Sequence, residues 1–156
     1  MKKSHTKPRI CLAASGGGHL TQLMKLQDAW KGYDKFYVTT GEAVREKLQK
    51  HGKVYVIGEC NRNEPLRLLS VLRNCFRIAV KERPDVMIST GAAPACLLCI
   101  VARFMGARII WIDSIANIER LSLSGRIIRP LANLILTQWQ EVADKYSSVE
   151  YVGKLL

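Results

Sequence analysis

Acidic residues are scarce in this sequence: 13 Asp and Glu face 24 Lys and Arg, a formal charge of +11 over 156 residues. Such an excess implies an anionic partner, whether nucleic acid, an acidic membrane surface or a phosphorylated ligand, without choosing among them. Aromatic residues are also few, at 7%, and no recognisable RNA- or DNA-binding motif accompanies the charge, which argues against a nucleic-acid-binding module. The five cysteines (Cys11, Cys60, Cys75, Cys96, Cys99) are odd in number and scattered, which excludes a disulfide framework and fits a reducing compartment. "CLLC" (Cys96 to Cys99) has no second such pair and no suitably spaced histidines, so zinc and redox chemistry lack their partners. Set among Leu97, Leu98, Ile100 and Val101, these thiols read as small apolar residues.

No apolar run approaches the roughly 20 residues that a bilayer span needs. The longest, "AAPACLLCIVA", ends at Arg103, and the stretch after the basic "MKKSHTKPR" breaks at Ser15, so neither a spanning helix nor a signal peptide is expected. No linker, repeat or low-complexity stretch divides the chain. Residues 1–8 read as a basic tail and residues 9–156 as one domain, long enough to bury about 68–70% of its unfolded surface.

What is present is alternation. "RICLAA", "KFYVTT", "KVYVIG", "DVMIST", "RIIWID", "LILTQ" and "VEYVG" are strand candidates. Between them, helical spacing is expected over His19 to Trp30, Glu42 to about Lys50, Pro65 to about Arg83, the apolar segment to Met105, Ile127 to Ala132, and from Trp139 on. Apolar, non-alternating strands separated by helices predict an α/β domain, a single Rossmann-like unit with a mostly parallel sheet covered on both faces. In such sheets ligands bind beyond the carboxyl ends of the strands.

Ser15-Gly16-Gly17-Gly18-His19 falls at the end of the first strand, where a helix starts. Glycines let the backbone approach an anion, and a helix N-terminus favours one; a plain strand-to-helix turn is the competing reading. The spacing is not G-x-G-x-x-G, the second strand ends in Thr39, Thr40 and Gly41 with Glu42 a weak substitute for an acid, and G-K-[ST] is absent. Dinucleotide and Walker-type sites are thereby disfavoured. A neutral His19 beside an anion site could serve as general base or hydrogen-bond partner, or it could simply pack in the first turn. Thr90 and Gly91 in "STGAAP" and Asp113 in "WIDS" end the fourth and fifth strands, so they share the rim with Ser15–His19; a cap on the next turn is the competing reading of Asp113.

"AASGGGHLTQL", "DVMISTGAAPA" and, most specifically, "WIDSIANIERLSLSGRIIRPLANLILTQWQEVADKY" resemble the membrane-associated subunit of the two-part N-acetylglucosaminyltransferase of lipid-linked oligosaccharide synthesis, and its bacterial exopolysaccharide counterparts more closely still. The resemblance runs from about Arg9 to the C-terminus. It implies the N-terminal half of a GT-B glycosyltransferase, with a separate donor-binding chain supplying the other half. It further implies a nucleotide sugar, expected to be UDP-linked, as co-substrate without a tightly bound cofactor, and a polyprenyl-diphosphate-linked glycan as acceptor, in exopolysaccharide or capsule assembly. By the same resemblance His19 is the candidate catalytic group, and Ser15, Gly16, Gly17, Gly18, Thr90, Gly91, Asp113, Asn117, Glu119 and Arg120 face the diphosphate or the acceptor. No metal is expected, because no D-x-D motif is present and helix ends can stabilise leaving phosphates.

The chain departs from the eukaryotic subunit in lacking an N-terminal spanning helix, which points to the bacterial branch and to peripheral attachment at the cytoplasmic face of the plasma membrane. The long helix offers a means. Arg67, Arg73, Arg77 and Lys81 would form a basic edge toward anionic lipid, while Leu66, Leu69, Leu72, Phe76 and Ala79 mostly pack on the sheet. A nucleic-acid module and a self-sufficient nucleotide-dependent enzyme remain the alternatives.

Overall fold

In the computed structural model residues 7–60 and 63–155 are described; residues 1–6 of the basic tail lie outside them. Seven strands form one sheet: β1 (Ile10–Ala14), β2 (Lys35–Thr39), β3 (Lys53–Val56), β4 (Val86–Gly91), β5 (Arg108–Ile112), β6 (Leu134–Thr137) and β7 (Val149–Tyr151). Their order is β3-β2-β1-β4-β5-β6-β7, and every pairing is parallel. The expected Rossmann-like α/β architecture is present, and the sheet is wholly parallel. β1, β2 and β4 are buried over most of their length, which is why their sequences run apolar without alternation.

The chain reverses its direction across the sheet between β1 and β4. The turns leaving these two neighbours diverge there and open a crevice. The Ser15 N–H donates to the Gly91 carbonyl at 3.0 Å and ties the two exits together.

One face of the sheet carries α1 (Gly18–Lys25), the short helix α2 (Glu42–Gln49) and a 3-10 turn (Gln27–Trp30) over a core of Leu12, Leu23, Trp30 and Tyr37. The helix expected over His19–Trp30 is therefore two pieces. Backbone bonds to the third residue back, Leu26 to Leu23 and Ala29 to Leu26, tighten the chain and tuck Trp30 into the core at 2% exposure. The other face carries α3 (Pro65–Glu82) and α4 (Ala93–Phe104), which pack on each other, then α5 (Leu123–Ile128) and α6 (Gln140–Ala143). Here Cys11, Phe36, Met87, Cys99, Ile109 and Ile128 form the larger core.

Two expectations are corrected here. α5 starts at Leu123 and not at Ile127, because the Ser122 hydroxyl caps it by accepting the Gly125 N–H at 2.8 Å; Pro130 has no N–H to continue the ladder and helps end it. In α3 the apolar set named from the sequence faces the wrong way. Val71, Cys75, Ile78, Ala79 and Glu82 meet the core, while Leu66 is 81%, Leu69 62%, Phe76 59% and Leu72 41% exposed. Only Ala79 of the expected face is inside. Both sides of this helix are apolar, and the side with smaller residues lies against α4, where Cys75 approaches the Pro94 carbonyl. Arg67, Arg73, Arg77 and Lys81 are exposed on the same helix.

The buried end of α3 carries a charge cluster. Glu82, 6% exposed, pairs with Arg9 and accepts from Tyr55 and from Lys53, the last at 2.6 Å. Burial alone would push the Glu82 carboxyl up, but the bonds from Lys53 and Tyr55 and the charge of Arg9 hold it below the usual carboxylate value.

Candidate active site

The glycine triplet makes a sharp exit from β1. Gly17 takes φ +80°, a left-handed conformation that suits glycine, and α1 begins directly after it. A side chain at Gly17 or Gly18 would project into open space, so the loop's outer surface is free of protein. The first turn of α1 holds no acidic residue, which leaves its partial positive charge uncompensated.

His19, on that first turn, is locked by two bonds across the crevice. Its Nδ1 lies 2.6 Å from the Thr90 carbonyl, and the Thr90 hydroxyl donates to the His19 carbonyl at 2.7 Å. A carbonyl can only accept, so Nδ1 carries a proton, and the neutral ring is the tautomer whose lone pair is on Nε2. The imidazole lies against Gly91, where an added Cβ would sit 2.9 Å from Cε1. Glycine at 91, at φ +111°, is thus what lets the ring approach the β4 exit.

Asp113, 2% exposed, is fully engaged. It accepts from the Ser122 N–H at 2.7 Å, the Ser122 hydroxyl at 2.5 Å and the Trp111 indole N–H at 3.0 Å. It therefore pins the segment between β5 and α5 in place. Gly125 completes this anchor, since a Cβ there would come within 2.7 Å of the Asp113 carboxylate.

Together these segments enclose an open cavity of about 240 Å³. His19, Thr90, Gly91, Asp113 and Asn117 line it, with Ser114, Ser122, Leu123 and Ser124. Asn117 folds back on its own loop, its N–H donating to the Ser114 carbonyl at 3.0 Å. Ser15, Gly16, Gly17 and Gly18 sit on the same rim outside the lining, and Glu119 and Arg120 are exposed beyond it. The helices α1, α4 and α5 all begin at this rim; the start of α5 is taken by the Ser122 cap and the Asp113 carboxylate, so the free N–H groups of α1 and α4 are what make it a place for anions. Ser122, Ser124 and Leu123 escaped the sequence reading as individual site residues; their signal was the serine cap three residues before Gly125.

Among the described residues no group of three or more His, Cys, Asp or Glu could hold a metal ion, and no helix is long and apolar enough to cross a membrane.

A wholly parallel sheet with its cavity at the β1/β4 switch point defines one Rossmann-like unit, and its structural likeness to MurG makes that unit one of GT-B fold. MurG of Acinetobacter baumannii superposes with a TM-score of 0.77 at 15% identity, over 93% of this chain and 45% of that one. The Methanocaldococcus jannaschii UDP-GlcNAc 2-epimerase, solved in complex with UDP-GlcNAc and UDP, gives 0.67 at 12% identity, over 94% of this chain and 46% of that one. The chain thus spans under half the length of both. Residues 56–155 match the family "Oligosaccharide biosynthesis protein Alg14 like", and the chain belongs to that family. The UDP-N-acetylglucosamine transferase subunit ALG14 of Yarrowia lipolytica is 27% identical over 99% of this chain and 84% of its own length.

Proposed function

We propose that this chain is the acceptor-side subunit of a two-part glycosyltransferase that moves a sugar from a UDP-sugar to a polyprenyl-diphosphate-linked glycan. The observation that carries the reading is His19, held by Thr90 through Nδ1 so that Nε2 is the ring nitrogen left for a substrate, at a rim where three helices begin. The rim takes the diphosphate. The acceptor hydroxyl attacks the anomeric carbon, the bond from that carbon to UDP breaks, and His19 Nε2 accepts the hydroxyl proton. In this reading the donor-binding wall comes from a second chain. The names of its relatives as transferase subunits support this. The finer setting, exopolysaccharide or capsule assembly in a bacterium, rests on the resemblance of the Trp111–Tyr146 motif alone.

The same reading places the protein peripherally on the cytoplasmic face of the plasma membrane. The outward side of α3 supports it: Leu66, Leu69 and Phe76 are exposed beside Arg67, Arg73, Arg77 and Lys81. Each basic residue near an anionic leaflet gains on the order of 1 kcal/mol, and the apolar side chains add burial.

The test is sugar transfer to a polyprenyl-diphosphate-linked acceptor by this chain alone, by its candidate partner alone, and by both. Transfer only with both, reduced at least roughly a hundredfold by His19→Ala while the complex still forms, is the expected result. Transfer by this chain alone would overturn the split enzyme. In flotation with phosphatidylglycerol-containing vesicles, Leu69→Ser with Phe76→Ser should release the protein; unchanged flotation would refute attachment through α3.

A further inference from the structure

We infer that Gln22 is a positioning residue for this cleft: with Gln138 it holds the start of α1 in register with the segment leaving β5 and with the C-terminal segment at Leu155. Gln22 is 2% and Gln138 0% exposed. Every hydrogen-bonding capacity of the Gln22 amide is used. Its Nε2 donates to the Gly18 carbonyl at 3.3 Å and to the Ser114 hydroxyl oxygen at 3.4 Å. Its Oε1 accepts the Ile115 N–H at 3.2 Å and the Gln138 Nε2 at 2.6 Å. Gln138 Nε2 also donates to the Asp113 carbonyl at 3.1 Å, and its Oε1 accepts the Leu155 N–H at 2.9 Å.

The connections explain why this matters for the site. Gly18 immediately precedes His19, and Ser114 follows Asp113 and itself lines the cavity. One buried amide therefore holds both walls of the cleft to each other. A second amide extends that hold to a backbone N–H 17 residues beyond it. An amide satisfies this arrangement because it donates at one end and accepts at the other. Glutamate has the same shape but would turn an anionic oxygen on the Gly18 carbonyl.

The experiment is residue-resolved amide hydrogen exchange on the full chain, comparing wild type, Gln22→Glu and Leu155→Pro. Gln22→Glu is isosteric, and Leu155→Pro removes the N–H that donates to Gln138. Exchange at Thr21 and Asn117, whose N–H groups bond within the two walls, should rise roughly tenfold in Gln22→Glu and several-fold in Leu155→Pro. Ile88 in β4 should not change. Unchanged Thr21 and Asn117 in Gln22→Glu would overturn the role of Gln22; a response in Gln22→Glu without one in Leu155→Pro would overturn the link to the C-terminal segment. If Gln22→Glu does not fold, Gln22→Met, which keeps the length of the side chain and removes both ends of the amide, decides by the same readout. The proposal rests on the transferase reading only for its kinetic arm. With the partner present, Gln22→Glu should lower kcat at least roughly tenfold and raise KM for acceptor by less than that, because His19 is displaced with the start of α1 while the β4 and α4 part of the rim remains. Absence of transfer by wild type would count against the transferase reading, and the exchange result would still stand or fall alone.

Discussion

Gly91→Ala is the sharpest probe of how the cleft is assembled. The substitution adds one methyl group, and the structure shows where it goes: 2.9 Å from Cε1 and 3.0 Å from Nδ1 of His19. Separations that short are not tolerated, so the imidazole must move off the β4 exit and give up its bond to the Thr90 carbonyl. The backbone contributes a second cost, since position 91 has φ +111°. Holding a non-glycine residue in the left-handed region costs about 1–2 kcal/mol, and a lost hydrogen bond costs about 1 kcal/mol more. The sum is about 2–3 kcal/mol. For a domain of this size each kcal/mol shifts Tm by roughly 2–4 °C, so a fall of about 5–10 °C is expected in a thermal melt followed by circular dichroism. The His19 ring nitrogens, observed by NMR, should lose the signature of a protonated, hydrogen-bonded Nδ1. In the reconstituted transferase the loss of activity should approach that of His19→Ala. A variant that melts within about 1 °C of wild type and keeps the His19 signals would refute the packing of this ring on Gly91.

Two further outcomes follow from buried chemistry. The Glu82 carboxyl is held below its usual value in the folded chain, so its contribution to stability is fully present above the unfolded value of about 4.3–4.5 and is lost as pH falls through the lowered one. Glu82→Gln should flatten the acid limb of Tm against pH below about pH 4.5 while lowering Tm at neutral pH; an unchanged acid limb would remove Glu82 from the account. Burial pushes the Cys75 thiol up to about 12 and Cys96 to about 11, and also raises Cys11 and Cys99. The Cys60 thiol is raised by burial and by Glu59 as well, but it alone of the five is not buried, so iodoacetamide at about pH 8 should label Cys60 in the native protein, and all five cysteines in denaturant. Rapid native labelling at a second position, read by mass spectrometry, would contradict the packing around α3 and α4.

Much of this protein was legible in the residues. Each strand candidate became a strand, because runs such as Arg108–Ile112 are apolar without alternation and only a covered parallel sheet buries both of their faces. The common rim was equally legible: Ser15, Thr90 and Asp113 end their strands, and parallel strands bring their ends to one side. The start of α5 was missed because its sequence has no clear period, and a serine cap decides it locally.

The remainder belongs to the tertiary structure. Periodicity locates the faces of α3, but both faces are apolar, and packing against α4 selected the one with Val71, Cys75 and Ile78, leaving Leu66, Leu69 and Phe76 outside. The proton on His19 Nδ1 was undecided until Thr90, 71 positions away, presented a carbonyl. The bond between Gln22 and Gln138 spans 116 positions. The sequence by itself determined the elements, their order and the rim they share, since local pattern and strand direction suffice for those. Which helix face is buried, which serines and amides meet in the cleft, and which tautomer results depend on contacts between distant segments, and only the folded sheet brings those segments together.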